Sequence, residues 1–196
     1  MDSVSVWREL QRVLTALDAM GIPYVLGGSL ASSLWGVPRS TNDADVMVRP
    51  FPGREEELVA RFPPDFYLSL SAMREANLKR RSFNIINTST GFKTDVFVAS
   101  TRQLDESAFR RKVIRKVPSL GEATVNVLSA EDVIIWKLDW YRQGGETSER
   151  QWLDVIGVLE ANLPGLDRTY LLEGSQHLGI MDLLDRAIAE VEAANE

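Results

Sequence analysis

The sequence predicts an α+β fold, in which a mixed β-sheet flanked by helices is followed by a helical subdomain. Three observations carry that prediction. Short β-rich segments with two-residue alternation fill the chain up to about residue 128. Glycine and proline punctuate that part at most changes of element. From Ser129 onward, apolar residues recur at helical spacing instead. Residues 1–128 are therefore expected to form the α+β domain and residues 129–196 a helical subdomain packed on it.

In chain order, Val6 to Met20 reads as an amphipathic helix, with Trp7, Leu10, Val13, Leu14 and Leu17 on one face and Gly21 at its end. Pro23 blocks its continuation, and Tyr24-Val25-Leu26 is a short strand that ends at Gly27-Gly28. Ser29 is the expected N-cap of a short helix closed by Gly36. Asp43 to Val48 alternates as a strand, and Pro50, Pro52 and Gly53 stop it. A helix from Glu55 to Phe62 and a strand from Phe66 to Leu70 come next. Phe83 to Ile86 and Lys93 to Val98 flank Thr88-Ser89-Thr90-Gly91 as a hairpin. Two more strands are expected near Lys112 to Val117 and Ala123 to Leu128. Ser129 with Asp132 resembles a capping box for a helix to about Arg142. Further helices are expected at Arg150 to Leu159, Asp167 to His177 and Met181 to Ala194.

With 44% apolar and 26% charged residues, the composition is that of an ordinary globular chain. It has no run of roughly 20 apolar residues that would suit a membrane-spanning helix. Met1 to Val6 lacks the basic-then-apolar pattern of a secretion signal. Zero cysteines exclude disulfides, Cys-ligated zinc and thiol catalysis, and fit a reducing cytoplasm, the expected location. The net charge of -6 argues against a surface that grips nucleic acid throughout. Two basic clusters stand against that balance: Arg74, Lys79, Arg80 and Arg81, then Arg110, Arg111, Lys112, Arg115 and Lys116. Each reads either as a solvated face or as a rim for an RNA acceptor.

The chemistry-bearing residues are individually weak signals and collectively a pattern. Strand alternation puts Asp43 and Asp45 on one face, opposite Ala44, Val46 and Val48. Asp95 sits the same way, opposite Thr94, Val96 and Val98. Clustered carboxylates repel one another unless a cation joins them, and their oxygens suit one or two hard divalent ions. Magnesium is the first expectation, with manganese as an alternative. Upstream, Gly27-Gly28-Ser29 opens a helix, where free N–H groups and the positive dipole end favour phosphate. The loop fits neither the Walker pattern, which needs a Lys after its second Gly, nor the dinucleotide fingerprint.

Gly28-Ser29, then Asp43-Ala44-Asp45, then a strand-borne Asp95 resembles the DNA polymerase β-type nucleotidyltransferase superfamily. The wider context resembles the minimal nucleotidyltransferases and AbiEii-type proteins of type IV toxin–antitoxin systems. That context is Gly21 to Gly28, Arg39 to Asp45, Ser129 to Asp132, Lys137 and Arg150 to Asp154. The resemblance implies an ATP-like nucleoside triphosphate substrate and transfer of its nucleotidyl group to an acceptor hydroxyl. The acceptor is RNA (a tRNA 3′ end among others), a protein or a small molecule, and an antitoxin protein is an implied partner. Asp43, Asp45 and Asp95 would hold the metals, with Asp95 also helping to deprotonate the acceptor, and Gly27, Gly28 and Ser29 would hold phosphates. Arg39 and Lys137 are further nucleotide-binding candidates; the bland reading of Lys137 is a snorkelling lysine. Asp154 is a recurring carboxylate with a capping, ion-pairing or catalytic role. The single histidine, His177, is expected to be structural, and Trp136, Trp140 and Tyr141 are expected in core or interface.

Overall fold

The computed structural model describes residues 3–117 and 123–194. The expectation about the extreme N-terminus rests partly on Met1 and Asp2, which lie outside the described residues. The chain forms two compact units: Met1–Gly27 with Ser40–Val127, and Gly28–Arg39 with Leu128–Glu196.

The first unit holds a seven-stranded mixed sheet: β1 (Tyr24–Leu26), β2 (Asp43–Val48), β3 (Phe66–Leu68), β4 (Ser82–Asn87), β5 (Lys93–Val98), β6 (Val113–Lys116) and β7 (Thr124–Val127). The strand order is β3-β4-β5-β2-β1-β7-β6. β2 pairs with β5, and β1 with β7, in parallel, while the other neighbours are antiparallel. Central β1 is buried throughout, as an uninterrupted apolar triplet between two neighbours should be. β2 and β5 alternate, with Ala44, Val46, Thr94, Val96 and Val98 buried on one side. The other side carries the aspartates.

Helices of this unit are α1 (Ser3–Ala19), α3 (Glu55–Val59), α4 (Leu70–Lys79) and α5 (Gln103–Arg111). Leu10 and Leu17 of α1 are fully buried, and Gly21 takes the left-handed conformation, φ 62°, that terminates the helix. α3 is shorter than the expected Glu55 to Phe62. α4 and α5 were not foreseen. α4 starts at Ser69, whose hydroxyl accepts the Ala72 N–H; its buried face is only Met73, Ala76 and Asn77, too sparse for a clear apolar period. α5 has acidic Asp105 and Glu106 in its first turn and Arg110 and Arg111 in its last, which complements the helix dipole.

The second unit is helical: α2 (Gly28–Trp35), α6 (Ala130–Gln143), α7 (Glu149–Asn162), α8 (Arg168–Leu178) and α9 (Met181–Ala194). α2 was expected with the α+β domain, yet it joins α6 and α7. The reason is steric. A Cβ on Gly36 would lie 2.6 Å from the Gly157 carbonyl carbon, and one on Gly157 would lie 3.2 Å from a Val37 methyl. Gly36 closes α2 as expected, its N–H donating to the Ser32 carbonyl at 2.8 Å, and is a close-approach glycine as well. Trp35 Nε1 donates to the Leu128 carbonyl at 2.8 Å, and Asn162 Nδ2 donates to the Trp35 carbonyl at 2.8 Å. Ser29 lies inside α2 instead of capping it. At α6 the Ser129 N-cap is present: its Oγ accepts from Asp132 N at 3.1 Å, and the hydroxyl donates to the Asp132 carboxylate at 2.9 Å. Among the described residues no helix is long and apolar enough to cross a membrane.

Candidate active site

In the first unit, the strands arrange the three aspartates by register alone. Parallel pairing sets Asp45 beside Asp95 and Asp43 beside Lys93. In-register partners share a sheet face, so Asp43, Asp45, Lys93 and Asp95 stand together. Asn84 of β4 is in register with Asp95 and extends the polar face. The loop before β2 orients Asp43, because Thr41 Oγ1 donates to its carboxylate. The Gly27 N–H donates to the Asp45 carbonyl at 2.8 Å, tying the end of β1 to β2.

Lys93 is the residue that sequence reasoning missed. Its Nζ donates to Asp95 Oδ2 at 2.6 Å, and the two side chains are 41% and 21% exposed. The Asp95 hydrogen bond holds the Lys93 ammonium above the usual lysine range. Partial burial opposes the shift, and the charges of Asp95, Asp43 and Asp45 add to it. The formal balance of this face, three carboxylates against one ammonium, is negative. As the side chains stand, the described residues contain no group of three His, Cys, Asp or Glu arranged to hold a metal ion. The donor chemistry fits a hard divalent cation, because the ligands on offer are carboxylate oxygens and a cationic group already sits among them. The signal for Lys93 was in the sequence, two positions before Asp95 and therefore on its face.

In the second unit, a separate polar cluster joins Ser29, Arg39, Lys137 and Asp154. Arg39 forks onto Asp154, Nε to Oδ1 at 2.8 Å and Nη2 to Oδ2 at 3.0 Å. Its Nη2 also donates to Ser29 Oγ in the first turn of α2. Lys137 Nζ donates to Asp154 Oδ2 at 2.6 Å, with both side chains under a tenth exposed. Burial is the largest influence on Asp154 and pushes its carboxyl up. Hydrogen bonds and charge from Arg39 and Lys137 outweigh it, and the net shift is below the ordinary range. Two cations against one carboxylate leave the quartet formally positive. Gly28 opens α2 with φ 57°, a conformation glycine adopts without cost. Lys137 is therefore a buried ion-paired lysine and not a snorkelling one. Asp154 lies within α7, where its contacts are those of an ion pair, not a cap.

The remaining candidates have local explanations. Arg74 pairs with Glu56 at 2.7 Å, and Lys79 and Arg81 approach Glu75 at 2.9 and 3.5 Å, so the first basic cluster is largely compensated. In the second, Arg110 and Arg111 end α5, while Arg115 and Lys116 lie on edge strand β6, where charge discourages edge pairing. His177 is exposed in the last turn of α8. Tyr141 is buried against Trp152, ring centroids 5.4 Å apart, with the Arg186 guanidinium 3.9 Å over the Trp152 ring. Trp140 is half exposed. A small cavity lined by Trp7, Leu14, Asp18 and Tyr24 contains none of the predicted residues; there burial, then the Asp18 charge, pushes the Tyr24 hydroxyl up to about 12.

No family model matches the sequence, and neither does any curated protein. Solved structures do. The antibiotic-resistance factor ANT(2'')-Ia in solution superposes with a TM-score of 0.51 at 15% identity, over 100% of this chain and 98% of its own. The same protein in complex with adenylyl-2''-tobramycin superposes with a TM-score of 0.50 at 15% identity, over 99% and 100%. A nucleotidyltransferase candidate from Thermotoga maritima reaches 0.50 at 18% identity, over 79% and 96%. This chain has the nucleotidyltransferase fold. The AbiEii subgroup is not distinguished by these similarities.

Proposed function

We propose that this protein is a divalent-metal-dependent nucleotidyltransferase, which moves a nucleoside monophosphate from a triphosphate to an acceptor hydroxyl and releases pyrophosphate. The observation that carries the reading is the β2–β5 register, which sets Asp45 beside Asp95 with Asp43 on the same face, within a nucleotidyltransferase fold. Asp43, Asp45 and Asp95 are the residues that would hold magnesium or manganese. Bound ions would supply charge stabilisation for the attacking and leaving oxygens. Asp95 would also accept the hydroxyl proton as the new O–P bond forms and the bond to pyrophosphate breaks. Gly27, Gly28 and Ser29 would bind the triphosphate, helped by the positive quartet of Arg39, Lys137, Asp154 and Ser29.

A small hydroxyl-bearing acceptor is favoured over RNA. The ion pairing of Arg74, Lys79 and Arg81 removes charge from one of the two basic clusters an RNA rim would use, and ANT(2'')-Ia is known with adenylyl-2''-tobramycin. The test is incubation with Mg²⁺ and each labelled triphosphate, in the presence of tobramycin or total tRNA. Label transfer with pyrophosphate release is expected from the wild type and not from an Asp43→Ala/Asp45→Ala variant. Expression of the wild type should slow growth relative to that variant if an antitoxin normally restrains it.

The second reading is a catalytically silent nucleotide-binding or protein-interaction module, and the Lys93–Asp95 ion pair favours it by neutralising a carboxylate from within. Metal-dependent triphosphate binding without pyrophosphate release, across both acceptors, would select this reading. Absence of both binding and transfer would overturn the two together.

A further inference from the structure

The carboxylate face has its own cation, held there by one partly exposed ion pair. Lys93 is in register with Asp43 and shares its face with Asp45 and Asp95. Its Nζ lies 2.6 Å from Asp95 Oδ2, and its side chain is 41% exposed. A lysine on a four-carbon stem with that exposure can swing into water at small cost, since its ammonium is strongly hydrated. Asp95 is also the carboxylate that a shared divalent site would need to complete its oxygen set. A carboxylate has lone pairs to spare, so an ammonium on Oδ2 and a divalent ion on the same group compete through charge, because two cations a few ångströms apart repel.

We propose that Lys93 is an internal counter-ion, which stabilises the three-aspartate face while no metal is bound and competes with the divalent ion for Asp95. This inference rests on the metal reading of Asp43, Asp45 and Asp95 given above. It adds that a positive charge of the chain itself lowers the metal affinity of this face, and that rotation of Lys93 into water relieves the opposition. The opposite arrangement, a lysine fixed by burial like Lys137 in the other unit, would forbid that rotation.

The test is a calorimetric titration of the purified full chain with Mn²⁺ at fixed ionic strength and without nucleotide. Wild type is compared with Lys93→Met, which keeps the stem and removes the charge, and with Lys93→Arg, which keeps the charge. Lys93→Met should bind Mn²⁺ about tenfold more tightly, the scale expected from removing one positive charge a few ångströms from a divalent ion in a solvated site. Lys93→Arg should stay near the wild type. In thermal unfolding, metal-free Lys93→Met should melt lower than the wild type, and saturating Mn²⁺ should close the gap. Saturable Mn²⁺ binding by the wild type with equal or weaker affinity in Lys93→Met would overturn the proposal and leave the metal reading intact. No saturable binding by wild type or variants, all folded by circular dichroism, would overturn the metal reading and this inference with it.

Discussion

The two polar clusters of this chain use the same ingredients in opposite ways. In the first unit, three aspartates meet one partly exposed lysine. In the second, one buried aspartate meets an arginine and a buried lysine. The first cluster has surplus negative charge on a solvated sheet face, where ion pairs are weak and exchange easily. The second has surplus positive charge inside a helical packing, where a missing partner is expensive because the remaining charge is already desolvated. Exposure therefore separates a site that trades ligands from one that holds its groups still. The chain places the exchangeable charges on strands, and the fixed ones on α6, α7 and the segment that follows α2.

The sharpest way to break this comparison is to remove carboxylates from each side. Asp43→Ala/Asp45→Ala should lower nucleotidyl transfer on the order of 10³-fold, the scale of losing groups that act on the transition state, while metal-free thermal stability stays level or rises as like charges are removed. Asp154→Ala should do the reverse first, costing about 3–5 kcal/mol in urea unfolding because Lys137 is left buried without its partner. Equal stability losses in the two variants would erase the distinction.

Gly36→Ala tests the packing that holds the second cluster. Its new Cβ would fall 2.6 Å from backbone atoms of Gly157, which cannot rotate aside. A loss of about 1–3 kcal/mol is expected by chemical denaturation, with little change in Mn²⁺ affinity.

Acid sharpens the comparison further. The carboxyl of Asp154 is held below its ordinary value, so the unfolded chain takes up that proton first as pH falls. Its contribution is fully present above the unfolded value of about 3.9 and is lost as pH drops through the lower folded value. The stability difference between wild type and Asp154→Asn should therefore be constant from neutrality to about pH 4 and shrink below it, as followed by urea unfolding across pH.

The smallest effect belongs to the surface. Glu75 pairs with Lys79 and Arg81 at half-exposed positions, and Glu75→Gln should leave the urea-unfolding midpoint indistinguishable from the wild type. A measurable loss would mean that the basic cluster of α4 has a structural role beyond solvation.

Much of the sheet was legible because alternation is a local property. Tyr24 to Leu26, Asp43 to Val48 and Lys93 to Val98 were read at their observed bounds, and the shared face of Asp43 and Asp45 follows from a period of two. Whether Asp95 adjoined Asp45 depended on which strands pair and in what register, which no short window contains. The helix α4 escaped because its buried face is only Met73, Ala76 and Asn77, and α5 because it buries polar Asp105 and Ser107 beside its apolar residues and has no side-chain N-cap. The partnership of Arg39 with Asp154 spans 115 positions, and the placement of α2 with α6 and α7 rests on two glycines meeting backbone to backbone. By itself the sequence determined the α+β class, the strand-borne carboxylates and the glycine-opened helix, since each is written in nearest-neighbour chemistry. Only the tertiary structure decided that β5 lies beside β2, so that Lys93 and Asp95 meet Asp43 and Asp45, and that Asp154 binds both Arg39 and Lys137, because such partners are chosen by distance in space.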